Sequence, residues 1–414
     1  MFFKRALWRK KLIEVIIAAD EGVSPDCLGN YVVSFWRENE DEPRNQMRLR
    51  VQGILEGAVL SVLQSSCMVS LPSLVLVYVS TDGSSVSLRD SIGNQPTRNT
   101  GTYAQSLALA SKMTASATLS HVPALCKLDS ISFISAFESG SAGAYLVQTK
   151  GAISPFVLKI LTETDFLLHT DDELFSFKAR LAAMYREIQV LMKIPPHPHI
   201  VGPPVALVTI LYEDSPVVCG FLSPFHPGGT IADALTPLSS EFENEPPSLA
   251  RRIRWANQMV SAIHHLHRVA HTYHGDIKLD NVVLSTHDDA VFIDFEQGRH
   301  AEGCLAPEAQ GLWDVIANNI PATKNAPAST TINYVRYTGP ERDDTWSAYE
   351  AWGKYPEVIE ALEVYSLGDA LQTLFEGVVY PSQIESIIGQ CLLEDPSARP
   401  RLDLILTELK RCSS

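Results

Sequence analysis

His274-Gly275-Asp276-Ile277-Lys278-Leu279-Asp280-Asn281, followed by the apolar run Val282-Val283-Leu284, a short polar turn and Val291-Phe292-Ile293-Asp294-Phe295-Glu296, decides how this chain is read. Two short strands flank a polar turn, and around them stand three acidic or amide groups and one lysine. Asp276 can accept a hydroxyl proton. Asn281 and Asp294 offer hard oxygen ligands to a divalent cation. Lys278 can neutralise charge on a phosphoryl group in transfer. Phosphoryl transfer needs that set: positioning, metal and a base-like carboxylate, with little covalent chemistry from the protein. An isolated Asp–Asn pair is usually a turn with side-chain caps. The ordered series D-x-K-x-x-N, then D-F, lifts this stretch above that reading.

Upstream, short apolar runs bounded by glycine, ISFISAFESGSAGAYLVQT and then PFVLKIL, read as antiparallel strands, the first pair joined at a glycine-rich turn. A helix ending in YREIQVLMKI stops before Pro195-Pro196. After Pro227-Gly228-Gly229 the chain becomes mostly helical; over Arg251–His271, Ile253, Ala256, Met259, Val260, Ile263 and Leu266 share one face.

In this order the motifs resemble a eukaryotic-type protein kinase over about residues 130–410. The segments I-D-F-E-Q-G, L-A-P-E-A-Q-G and Y-T-G-P-E-R are similar to divergent kinase-like proteins of filamentous fungi. The resemblance implies an α+β, bilobal protein-kinase-like fold: a small β-rich N-lobe at 125–226, a larger helical C-lobe at 227–414, and an N-terminal extension at 1–124. It implies ATP and Mg2+ as cofactors. Asp276 and Lys278 would be catalytic, with Lys159 of Val157-Leu158-Lys159-Ile160 on the α/β-phosphates and Glu187 orienting it. Gly140, Ser141 and Gly143 would lie along the phosphates, where glycine permits close backbone approach. Ser223, Phe225 and His226 would face adenine, and Asn281 and Asp294 would hold the metal.

Four further points follow from the resemblance. The family's first loop glycine is Glu138 here, and its valine is Tyr145. His-Gly-Asp replaces His-Arg-Asp, so the kinase is of the non-RD type and lacks the arginine that binds a phosphorylated activation segment; activity without that phosphorylation is expected. Asp-Phe-Glu replaces Asp-Phe-Gly, and Glu363 replaces a buried aspartate. The activation segment should end at Tyr337-Thr338-Gly339-Pro340-Glu341, since Glu341 lies 22 residues before Glu363 whereas Glu308 of the rival Ala306-Pro307-Glu308 lies 55 before it. Arg399 of Asp395-Pro396-Ser397-Ala398-Arg399-Pro400 should then pair with Glu341.

Composition narrows the setting. The chain has 414 residues, with 33 Lys and Arg against 48 Asp and Glu and a net charge of −15, which repels DNA and anionic lipid at long range. Cysteines at 27, 67, 126, 219, 304, 391 and 412 form no C-x-x-C pair and fit a reducing compartment, the cytoplasm or nucleus. The basic-apolar first twenty residues read as an amphipathic helix and not a signal peptide. The uncharged stretch 57–81 reads as the end of a helix at about 47–65, then a strand LVLVYV at 74–79, the turn Asp82-Gly83 and a second short strand, in preference to a membrane span. Residues 81–120, rich in Ser, Thr, Ala, Asn and Gly, read as linker-like. The histidines at 264, 265, 267, 271 and 274 read as a helix end leading into the catalytic loop, with no zinc role.

Three functions remain open at this level. An active Ser/Thr protein kinase fits Lys278, two residues past Asp276. A small-molecule kinase of the aminoglycoside or choline type fits His-Gly-Asp and Ile-Asp-Phe-Glu. A pseudokinase scaffold fits the altered glycine loop and Asp-Phe-Glu. The first is the expectation, with a protein substrate, no nucleic-acid or membrane partner, and a monomeric chain.

Overall fold

The computed structural model describes residues 2–8, 11–17, 74–79, 86–90, 103–108, 123–137, 143–162, 165, 177–236, 246–297, 306–320, 329–340, 342 and 347–412. The chain divides into two units: residues 1–182 with 204–225, and residues 183–203 with 226–414.

The first unit holds two sheets. Strands β1 (Phe2–Trp8), β2 (Lys11–Ile17), β3 (Leu74–Val79) and β4 (Val86–Asp90) form one, in that order. β1 and β2 pair antiparallel, β2 runs parallel to β3, and β3 pairs antiparallel with β4. The N-terminus is therefore a strand pair and not the expected amphipathic helix. Phe2-Phe3, Trp8 and the Ile- and Val-rich KLIEVII favour extended backbone, and β3 supplies the ladder that a lone amphipathic segment would lack. The strand read at 74–79 is β3 and the second short strand is β4, whereas the helix read at 47–65 lies outside the described residues.

The other sheet has six strands in the order β5-β9-β10-β8-β7-β6. These are β5 (Ala124–Lys127), β6 (Ile131–Ala136), β7 (Gly143–Thr149), β8 (Phe156–Ile160), β9 (Ala206–Tyr212) and β10 (Ser215–Pro224). β6, β7 and β8 are antiparallel neighbours, as their alternating apolar runs require. That alternation buries Tyr145 and Val147 of β7 and Leu158 and Ile160 of β8. Tyr145 sits opposite Leu158, and Lys159 sits opposite Ala144. The Tyr145 ring thus lies on the sheet face away from Lys159, edge-on to Phe133 at 5.3 Å.

The stretch read as linker-like contains regular structure at β4 and in a helix, α1 (residues 103–108). Leu107 is fully buried, and Tyr103 and Ala104 are buried beside it. The Tyr103 hydroxyl donates to the Leu161 carbonyl at 2.6 Å, and its ring meets Phe177 edge-on at 5.7 Å. Small and polar residues misled the sequence reading, because one tyrosine and one leucine suffice to seat a helix of this size. Leu107→Ala is expected to destabilise the first unit by about 2–5 kcal/mol; a urea midpoint equal to that of the unaltered chain would refute the docking.

Helix α2 (Phe177–Lys193) runs from the first unit into the second and ends before Pro195, as read. The second unit continues with α3 (Ile231–Leu235), whose N-terminus is closed by a capping box between Thr230 and Asp233. Helix α4 (Leu249–His265) is capped by Ser248 and buries Ile253, Ala256, Met259, Val260 and Ile263, the face read from the sequence. It widens into a π turn at Leu266–Ala270. Two short strands follow, β11 (Val282–Leu284) and β12 (Ala290–Phe292), paired antiparallel. After a hairpin of β13 (Trp313–Ile320) and β14 (Ser329–Arg336) come α5 (Ala348–Trp352), α6 (Pro356–Phe375), α7 (Ser382–Cys391) and α8 (Leu402–Arg411). The first unit is β-rich and the second mainly helical, the α+β division expected from the sequence.

The hairpin corrects one assignment. Arg399 pairs with Glu308, not Glu341, which lies outside the described residues. Both partners are buried; Arg399 Nη2 meets Glu308 Oε2 at 2.8 Å, and Nη1 meets Oε1. The 55-residue gap to Glu363 looked too long because β13 and β14 are inserted within it. Val315, Ile332 and Tyr334 on the hairpin's inner face pack on Ala306, Tyr349, Trp352 and Leu362, so the insertion shares the core that seats Glu308.

The loop after α2 packs by histidine. The His197 ring lies 4.7 Å from His265 and 5.4 Å from His199, and its Nε2 is 3.4 Å from Ser261 Oγ. Burial, then the neighbouring His265 and His199, push the His197 ring down to about 4 from 6.5. The unfolded chain binds this proton nearer 6.5, so the stability that the neutral ring brings is complete above that pH and is lost as pH falls toward 4. Denaturation midpoints should drop across that window, and less in His197→Gln; parallel pH curves for the two chains would refute this.

Candidate active site

Two short elements bring the second unit's chemistry together. β11 and β12 hold the turn residues on either side, and the backbone N–H of Ile293 donates to Asn281 carbonyl at 3.0 Å, tying the strand before Asp294 to the loop after Asp276. Within the loop, Lys278 Nζ lies 2.7 Å from Asp276 Oδ2. Asn281 Nδ2 donates to the same oxygen at 2.8 Å and to the Asp276 carbonyl at 2.9 Å. Burial pulls the Lys278 ammonium down, but the hydrogen bond it donates to Asp276, with the charges of Asp276, Asp294 and Asp280 nearby, outweighs it and raises the lysine. Lys278 therefore stays charged at neutral pH.

The loop is suspended from α6. Glu363, fully buried, accepts the backbone N–H of His274 at 2.8 Å and of Gly275 at 2.7 Å through Oε1. Its Oε2 meets His267 Nε2 at 2.7 Å. The longer side chain noticed in the sequence thus spans from α6 to both the loop backbone and a histidine at the end of α4. His274 is buried, with Nε2 on the Ile293 carbonyl at 2.9 Å and Nδ1 accepting from Asp276 N at 3.2 Å. Burial, opposed by Glu363 and the Ile293 carbonyl, lowers its pKa, which keeps the ring neutral with the proton on Nε2. Its ring packs against that of Phe295 in a tilted arrangement, with centroids 4.6 Å apart.

Glu187 on α2 is buried and accepts the Phe295 backbone N–H at 3.1 Å. Among the described residues, Glu187, Asp294 and Glu296 bring carboxylate oxygens within 4.8 Å of one another. An all-carboxylate set of this kind suits a hard divalent cation. Asp294 stands at φ 67°, a left-handed backbone that a non-glycine residue holds only when its surroundings over-determine it.

Of the residues named from sequence, the second unit gathers Glu187, Asp276, Lys278, Asn281 and Asp294; His226 opens that unit's main stretch. Lys159 lies on β8, Gly143 opens β7, and Ser223 and Phe225 lie at and just past the end of β10, all in the first unit. Phe225 and Phe137 rings are 6.4 Å apart. Gly140 and Ser141 fall outside the described residues. Sequence reasoning gave no site role to Gln297, Arg186 or His267, although all three stand in stretches it quoted; what each one reaches depends on contacts with distant segments.

The second unit thus brings together a carboxylate-lysine-amide loop, a second acidic turn and a helix-borne glutamate. A protein-family model, Protein kinase domain, matches residues 156–348, from the first residue of β8 to the start of α5. The chain carries a protein kinase domain, a domain that transfers phosphoryl groups from ATP. No curated protein matches it. Among the described residues no helix is long and apolar enough to cross a membrane.

Proposed function

We propose that this chain transfers the γ-phosphoryl group of ATP to serine and threonine hydroxyls of a protein substrate. The observation that carries the reading is the Asp276 carboxylate, held by Lys278 and Asn281 in one loop. Asp276 orients the acceptor hydroxyl and takes up its proton as the phosphoryl group arrives. Lys278, charged at working pH, offsets negative charge on that group. Asn281 and Asp294 would hold Mg2+, which when bound neutralises phosphate charge. The family resemblance would assign Lys159 to the α/β-phosphates with Glu187 to orient it, Gly140, Ser141 and Gly143 to the phosphates, and Ser223, Phe225 and His226 to adenine.

Lys278 two residues past the carboxylate, the Glu363 anchor and the Arg399–Glu308 pair favour a protein kinase over a small-molecule kinase. The retained Lys159, Glu187, Asp276, Asn281 and Asp294 favour activity over a scaffold. The enzyme works as a monomer in the cytoplasm or nucleus.

The test is radiolabelled ATP with Mg2+, generic protein substrates and a panel of amino-alcohols and sugars, comparing the unaltered chain with Asp276→Asn. Protein labelling lost in the variant supports the reading. Labelling confined to small molecules, or no transfer despite ATP binding, rejects it.

A further inference from the structure

We propose that Gln297 is a positioning residue, a built-in clamp that holds the Asp294–Gln297 segment in its working conformation without any phosphate on the chain. This rests on the phosphoryl-transfer reading and adds to it the way the site is kept assembled.

The clamp has three jaws. The Gln297 amide Nε2 donates to the Tyr273 carbonyl at 2.6 Å and to Thr272 Oγ1 at 3.0 Å, both just before His274. The Gln297 backbone carbonyl accepts from Arg186 Nη1 at 3.2 Å. Two residues earlier, Phe295 N–H is held by Glu187. Adjacent residues of α2 therefore grip the segment at two points, while the glutamine side chain ties it to the catalytic loop. The gripped stretch carries Asp294, and the loop it is tied to carries Asp276.

Backbone geometry points the same way. Gln297 stands at φ 47° and Asp294 at φ 67°, so both ends of the segment occupy left-handed conformations that non-glycine residues avoid. Such conformations persist where several contacts over-determine them, and the clamp supplies those contacts. Gly275 completes the fit. It stands at φ 87°, and a Cβ there would lie 3.3 Å from Gln297 Cα. The position where the resembled family has a phosphate-reading arginine is here a glycine with the glutamine backbone packed against it. Direct hydrogen bonds take the place of a phosphate contact.

The experiment measures steady-state kinetics of Gln297→Ala and Gln297→Gly, and amide hydrogen exchange of peptides covering residues 293–297. Loss of the amide should lower kcat by about 10- to 100-fold, because small misplacements of reacting groups cost rates of that order, while KM for ATP stays within about twofold. Gln297→Gly, which relieves the positive φ, should fall as far as Gln297→Ala, since the side-chain amide is what acts. Exchange over 293–297 should speed by about 10-fold in both variants. Phosphatase treatment of the unaltered chain should leave kcat unchanged. An unchanged kcat in Gln297→Ala, activity lost to phosphatase, or unchanged exchange overturns the clamp. If the unaltered chain transfers no phosphate at all, the kinase reading fails, and the exchange measurement alone then decides the clamp.

Discussion

Asp276→Asn is expected to lower phosphoryl transfer by about 10²- to 10⁴-fold, the contribution typical of a positioned proton acceptor. At 1.36 kcal/mol per tenfold this is roughly 3–5 kcal/mol of barrier. The amide keeps the shape of the carboxylate, so the loop has no steric reason to move. What it loses is charge and basicity. Lys278 at 2.7 Å would face a neutral group, and Asn281 would donate to a weaker acceptor. The Asp276 side chain is 28% exposed, so the substitution should leave thermal stability nearly untouched. Single-turnover rates with a protein substrate measure the effect; a variant keeping more than about a tenth of the rate would remove Asp276 from the chemistry.

Arg399→Leu is expected to cost about 3–5 kcal/mol of folding stability, because it strands the Glu308 carboxylate in the core. Both side chains are essentially inaccessible, at 1% and 0% exposure. Every guanidinium nitrogen is engaged: Nε donates to the Leu393 carbonyl at 2.8 Å, Nη1 to the Ala361 carbonyl at 2.9 Å and to Glu308, Nη2 to Glu308 and to the Glu394 carbonyl at 3.3 Å. The Tyr365 ring lies 4.8 Å from the guanidinium carbon. One residue thus joins the segment before β13, helix α6 and the turn before α8. Removing both charges, in Glu308→Leu with Arg399→Leu, should recover part of the loss, since no lone charge remains buried. Urea denaturation of the chain reads both values; a single-variant loss below about 1 kcal/mol would show that the pair is not the anchor described.

Much of the site was legible because its chemistry is local in sequence. Asp276, Lys278 and Asn281 fall within one short loop, and the strands on either side announce themselves by apolar runs. The α4 face was legible for the same reason, since its period needs no partner to be recognised. The first twenty residues were misread because an amphipathic pattern does not say whether the pairing partner is a core or a strand. β3, which decides it, lies far along the chain. α1 was misread because composition averages over a stretch in which two side chains do the packing.

The Glu308 case is sharper. Both candidate glutamates stood in acceptable motifs, and spacing chose between them. Spacing is a reliable guide only where nothing is inserted, and an inserted hairpin leaves no motif of its own.

By itself the sequence named the groups expected to meet a phosphate and a metal, because that chemistry tolerates few substitutes. The tertiary structure alone decided which carboxylate Arg399 meets, which face Tyr145 takes and where Gln297 reaches. Those depend on contacts between distant segments, where one burial or one register choice outweighs any local preference.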